Sequence, residues 1–244
     1  MEGSPARKRP RAARHVLMAE ELGRRIVSGE LRPGTTLPNS TLLAREMSMS
    51  RPALREALKL LAGKGLIESA PRRGTVVRPR SAWNRLDQDV LSWQMGDAPN
   101  AAFIRDLFEL RRMIEPEAAA FAAQRATSER LGEIEGALSL MASSDARSPL
   151  SIAADVAFHR AILVASGNEF VAFFAPAIEA SLTMTFSFQR RVNPDREHFL
   201  PDHRSIFDAI RRGDPEAARQ AVHGHLRQAE TDAMEGLKLE DATL

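Results

Sequence analysis

The chain has 244 residues, with 34 Lys and Arg, 32 Asp and Glu, and no cysteine, which excludes disulfides and cysteine nucleophiles and leaves any transition metal to histidine and carboxylate. That length suits two domains, and residues 1–80 hold 17 Lys and Arg against 7 Asp and Glu while the remainder holds 17 against 25, so nucleic-acid binding is confined to the front. No run approaches the roughly 20 apolar residues of a membrane span and no signal-peptide core follows the basic N-terminus, so a cytoplasmic protein without a membrane partner is expected.

Residues 2–12 are small, polar and basic; an arm adding phosphate contacts and a plain solvated tail are both open. Residues 14–28 form an amphipathic helix through Val16, Leu17, Leu22 and Ile26, closed by Gly29, and Pro33-Gly34 punctuates the passage to the next helix. Residues 39–47 make a supporting helix, Ser48-Met49 a turn, and Ser50 caps a helix whose Pro52 lies in the first turn and whose Leu54, Leu58 and Leu61 share one face. Arg51 and Arg55 lie largely off that face, four residues apart, where a helix in a major groove offers guanidinium forks to guanine or phosphate. A solvated helix face is the alternative for any one of them. Two short strands, 66–68 and 74–77, flank Pro71-Arg72-Arg73-Gly74 and read as a hairpin wing with a basic tip.

Leu37-Pro38, Leu43-Ala44, Ser50-Arg51, Leu54-Arg55-Glu56-Ala57-Leu58, Gly65-Leu66-Ile67 and Gly74-Thr75 together resemble the DNA-binding domain of GntR-type bacterial transcription regulators over residues 14–78. The resemblance implies operator DNA as partner, with Arg45, Ser50, Arg51, Arg55, Arg72, Arg73, Gly74 and Thr75 as the DNA-facing set. Thr41 stands where the family usually has a DNA-contacting arginine, and Ala53 where it has a threonine.

Pro79-Arg80-Ser81 marks the expected boundary, giving a winged helix-turn-helix over residues 10–80 and an all-α domain over 81–240. Trp83, Leu86, Val90 and Trp93 recur at helical spacing and read as anchors of a linker helix. Further helices are expected over 100–125, 127–143, 148–166, 168–190, 193–212 and 214–237, with Ser148-Pro149, Asn193-Pro194 and Asp214-Pro215 as starts. Pro116 and Pro176 fall inside helical patterns and should kink them. The fold class is mostly α, a winged helix-turn-helix with a small hairpin followed by a bundle of about six helices.

Asp155 and His159 sit one turn apart in or beside an apolar stripe of Ile152, Val156 and Leu163. His203 belongs to the inner face of Phe199, Ile206 and Ile210, and His225 to that of Val222, Leu226 and Ala229, while His223 points away. Burying three imidazoles and a carboxylate together without a cation is costly, so Asp155, His159, His203 and His225 form the expected metal site, for zinc first, with nickel, iron or manganese as alternatives.

That set resembles the metal site of the FCD effector domain, which follows the DNA-binding domain in the FadR-type branch of GntR regulators. Trp83-Asn84-x-Leu86-Asp87-x-Asp89-Val90-Leu91-x-Trp93 and Glu109-Leu110-Arg111-x3-Glu115-Pro116 are similar to regulators of sugar-acid catabolism of the galactonate type. Arg111 falls on the apolar stripe of its helix and needs an anion; a carboxylate effector and an internal salt bridge, to Asp155 or Glu179, are both open. Arg190 and His198 are the next candidate effector contacts. The resemblance implies a ligand-responsive repressor acting as a homodimer on a two-fold operator, nucleoid-associated when bound. The competing class is a metal-dependent enzyme, for which no His-Glu-x-x-His or second placed carboxylate is evident.

Overall fold

The computed structural model describes residues 11–70, 72–95, 101–145, 148–192 and 199–241, in a chain that divides into two units at residues 97 and 98. The first unit runs α1 (Arg11–Val27), α2 (Ser40–Glu46), α3 (Arg51–Gly63), β1 (Ile67–Ala70), β2 (Gly74–Val77) and α4 (Gln88–Met95). Local side chains start the two middle helices: Asn39 Oδ1 accepts from the Thr41 and Leu42 amides, and Ser50 Oγ from the Ala53 amide. Between them Ser48 adopts φ 51°, and the Met49 amide donates to the Ala44 carbonyl at 2.8 Å, closing the turn. The strands pair antiparallel from Ile67 with Val77 to Ala70 with Gly74. An extended segment absent from the sequence expectation joins them, since Leu37 N–H donates to Thr75 O and Val77 N–H to Thr35 O.

Leu22, Ile26, Leu54, Leu61, Leu66 and Val90 are all buried in one core of this unit, each contributing about 1.5–3 kcal/mol relative to exposure. The expected boundary after Arg80 needs correction, because the linker is bolted to this core. Trp83 Nε1–H donates to the Arg78 carbonyl, and Lys64 Nζ reaches Asp87 and Asp89 at 2.7 Å each. Asp87 Oδ1 also caps α4 by accepting from the Asp89 and Val90 amides. Trp93 lies so close to α1 that a Cβ on Gly23 would fall 2.3 Å from its ring. Only a glycine permits this docking.

The second unit is a helical bundle of α5 (Ala101–Arg125), α6 (Ser128–Ser143), α7 (Pro149–Ala165), α8 (Glu169–Ala172), α9 (Ala175–Val192), α10 (Phe199–Arg211) and α11 (Pro215–Asp241). Thr127, Ser148 and Asp214 supply side-chain caps to α6, α7 and α11. The Asn193-Pro194 start lies outside the described residues. α11 packs on α5, α9 and α10, and α7 on α5, α6 and α9, around Phe158, Ile134, Ile206 and Leu226. A Cβ on Gly236 would meet the Phe188 carbonyl oxygen at 2.0 Å, so α9 and α11 touch backbone to side-chain-free backbone there.

One helix expected over 168–190 is two. The chain breaks after α8, capped by Asn168, and Pro176 then occupies the second position of α9, where its missing N–H has no intrahelical partner to lose. Pro176 therefore begins a helix rather than kinking one. Pro116 lies within α5, which is helical on both sides of it. The stretch Glu169–Phe186 is apolar and long enough to cross a membrane by composition, but it spans the α8–α9 break and 44% of it is buried in the protein.

Candidate metal centre and nucleic-acid interface

In the second unit, α7 supplies Asp155 and His159, α10 His203 and α11 His225, and all four are buried. One ring nitrogen from each histidine lies within 4.8 Å of the others. Metal–nitrogen bonds of about 2.1 Å span such a spread after a small inward shift. His203 Nδ1 is 2.6 Å from the Phe199 carbonyl, which can only accept, so that nitrogen carries the proton. Its Nε2 then stands 3.0 Å from Asp155 Oδ1. His159 Nε2 is 3.4 Å from the same oxygen and has no hydrogen-bond partner. Two imidazole nitrogens converging on one carboxylate oxygen need either extra protons or a shared cation, and a donor set of three nitrogens and one oxygen fits a divalent transition metal.

The electrostatics agree with an anionic cradle. Burial works against ionisation of Asp155, but the adjoining His159 and His203 imidazoles outweigh it and hold the carboxyl well below its ordinary value. Burial lowers His225, and the neighbouring His203 lowers it further, to about 4, which favours the neutral imidazole. In His159 burial is overcome by the Glu115 charge and by Asp155, which raise it to about 9. His223, on the same helix as His225, is only partly buried and acts instead on Glu117, whose carboxyl is held low chiefly by Arg219.

Glu115 is the residue that sequence reasoning passed over. Its Oε1 accepts from Arg111 Nε at 2.5 Å, and its Oε2 lies 2.6 Å from His159 Nδ1, close enough for an ion pair though not aligned as a hydrogen bond. Burial opposes its charge, yet Arg111 and then His159 bring its pKa down to about 2. A carboxylate behind a ligating histidine fixes the ring and strengthens its donor nitrogen. Glu115→Gln is therefore expected to weaken metal retention about 10- to 100-fold, read by competition with a chelator of known affinity; unchanged retention would remove Glu115 from the site. The signal available in the sequence was its place one turn from Arg111 on the same helix.

Arg111 is fully buried. The internal salt bridge left open by the sequence exists, but its partner is Glu115; Glu179 pairs with Arg160 instead. That pair uses Nε alone, and Nη1 and Nη2 are buried without a partner. Two coplanar donors left open in a protein interior match a carboxylate. The side chain of Arg190 and all of His198 lie outside the described residues.

On the first unit, Arg45, Arg51, Arg55, Arg72 and Arg73 are exposed, as are Ser50 and Gly74, with Thr75 partly buried. Arg51 and Arg55 start α3, and Arg72 and Arg73 form the tip between β1 and β2, where Arg72 adopts φ 63° and Gly74 φ 80°. Thr41 Oγ1 accepts a hydrogen bond from Arg51 Nη2 at 2.8 Å, a contact that the sequence did not disclose.

Comparison with known proteins matches residues 17–77 to the gntR family of bacterial regulatory proteins and residues 106–228 to the FCD domain. The chain is 37% identical to the galactonate operon transcriptional repressor of Escherichia coli (strain K12) over 204 residues, covering 82% of this chain and 88% of that one. It is 30% identical to the HTH-type transcriptional regulator LutR of Bacillus subtilis (strain 168), covering 86% and 96%. Among solved structures, a GntR protein of Streptococcus agalactiae superposes with a TM-score of 0.51 at 27% identity, covering 89% of this chain and 99% of that one. Lar, which controls the Listeria monocytogenes agr system, shares the fold with a TM-score of 0.61 at 21% identity, covering 94% and 99%.

Proposed function

The chain belongs to the GntR family of bacterial transcription regulators with a C-terminal FCD domain, and from that premise we propose that it represses a catabolic operon for a sugar acid or related carboxylate. The observation that carries this reading is the open, buried fork of Arg111, linked through Glu115 to the histidine cluster. Asp155, His159, His203 and His225 would hold a divalent metal, zinc first among the candidates. A metal held there would supply Lewis-acid affinity for carboxylate and hydroxyl oxygens. Arg111 clamps the carboxylate, while burial excludes the water that would compete for it. The galactonate relative favours a sugar acid as effector. Its name, and that of LutR, are those of regulators, and the enzyme alternative finds no support.

One winged helix covers too little DNA for tight specific binding, so two copies act on a two-fold operator in the cytoplasm. The acid shifts the population between arrangements that fit the operator and arrangements that do not.

Two measurements test this. Thermal shift across aldonic, uronic and dicarboxylic acids, with and without metal, should show one class raising the melting temperature in a metal-dependent way. Elemental analysis should show metal lost from His203→Ala and His225→Ala but kept by His223→Ala. Equal metal in all three variants would sink the four-residue site.

A further inference from the structure

The hydroxyl of Thr41 meets the guanidinium of Arg51 across the turn between α2 and α3, and both ends of this contact are fixed by their own helix starts. Thr41 is the second residue of α2, its amide held by Asn39 Oδ1 at 3.1 Å, and its branched side chain has restricted χ1. Arg51 is the first residue of α3, directly after the Ser50 cap. The bond from Arg51 Nη2 to Thr41 Oγ1 is 2.8 Å, and among the described residues it is the one hydrogen bond of the Arg51 side chain. No carboxylate there comes within ion-pair distance of Arg51, whereas Arg55 has Glu56 at 3.9 Å.

The chemistry of the acceptor matters. A carboxylate would hold the guanidinium more strongly but would cancel its charge and repel DNA. A neutral hydroxyl orients it, takes one of five N–H donors, and leaves four for a base edge or phosphate. An exposed arginine otherwise samples many rotamers and must be ordered as DNA arrives; fixing it beforehand reduces that cost. A cleft of about 260 Å³ lined by Ser40, Arg51, Pro52, Leu54, Arg55 and Leu58 opens beside the contact.

We propose that Thr41 is a positioning residue for sequence reading: its hydroxyl holds the Arg51 guanidinium at the start of α3 in the orientation that meets a base-pair edge. The proposal rests on the operator-reading role given to Arg51 above.

The test uses the full-length protein and a randomised DNA duplex pool. Selection with wild type and with Arg51→Ala identifies the base pair whose preference Arg51 imposes. Wild type, Thr41→Val and Thr41→Ser are then titrated at fixed salt against the selected duplex and against one altered at that pair. Valine keeps the branched shape and removes the acceptor, so Thr41→Val should lose about 3- to 10-fold in discrimination, with binding to the altered duplex changed by less than about two-fold, and Thr41→Ser should restore it. Matched melting temperatures guard against a folding defect. If Thr41→Val discriminates like wild type, or weakens on both duplexes equally, Thr41 does not position Arg51, and the reading of Arg51 stands. If Arg51→Ala selects the same sequence as wild type, the reading of Arg51 fails and takes the proposal with it.

Discussion

Arg111→Lys is expected to keep its metal, bind operator with near wild-type affinity, and ignore an acid that releases the wild type. Lysine retains a positive charge beside Glu115 but replaces the planar fork by a point charge, so the two open donors that match a carboxylate are gone. The response depends on a coupling energy between the acid and DNA sites, typically about 1–3 kcal/mol, and an acid that no longer binds transmits none of it. Arg111→Ala should behave differently. It leaves the Glu115 carboxylate, 3% exposed, with His159 as its remaining ion-pair partner among the described residues, and breaking a buried ion pair from one side costs about 3–5 kcal/mol. Urea denaturation should therefore separate the two variants, with alanine far less stable than lysine. A lysine variant that responds at the wild-type acid concentration would make Arg111 a structural ion-pair residue, and the pocket would have to be sought elsewhere.

Arg51→Ala and Arg55→Ala should each lower operator affinity by about 1–3 kcal/mol if each makes a bidentate base contact. Both guanidiniums are exposed in the first two turns of α3, so their loss leaves the core of the first unit intact and the effect appears in binding alone. Truncating Arg72 or Arg73 at the wing tip should weaken all sequences alike and flatten the salt dependence, as expected for phosphate contacts. A titration at fixed salt in which both α3 variants match wild type would overturn the assignment of α3 as the reading helix.

Features written in local chemistry were legible in advance. The caps at Ser50, Thr127, Ser148 and Asp214 and the turn at Ser48 depend on residues a few positions apart, and the inward histidines follow from helical periodicity. The break between α8 and α9 was not legible, because Val171, Phe174 and Ile178 continue a helical pattern through it and only the placement of Asn168 and Pro176 gives it away. Glu115 was hidden for another reason. A glutamate before a proline reads as surface charge until a second helix brings His159 to it, and such a meeting depends on packing rather than on any one helix. The linker was misassigned because its anchors, Trp83 and Trp93, recur like those of any helix, while the partner that receives Trp93 is a featureless Gly23.

Those two tryptophans have an optical consequence. The chain contains no tyrosine, and both indoles are buried in the first unit, one against Gly23 and under Lys64, the other bonded to the Arg78 carbonyl. The effector unit is therefore dark in the tryptophan band, its aromatic emission limited to phenylalanine. Indole emission therefore reports the surroundings of Trp83 and Trp93 within the DNA-reading unit. The wild-type chain is thus its own one-sided reporter, in which a spectrum that shifts when an acid is added marks a change felt around the two indoles.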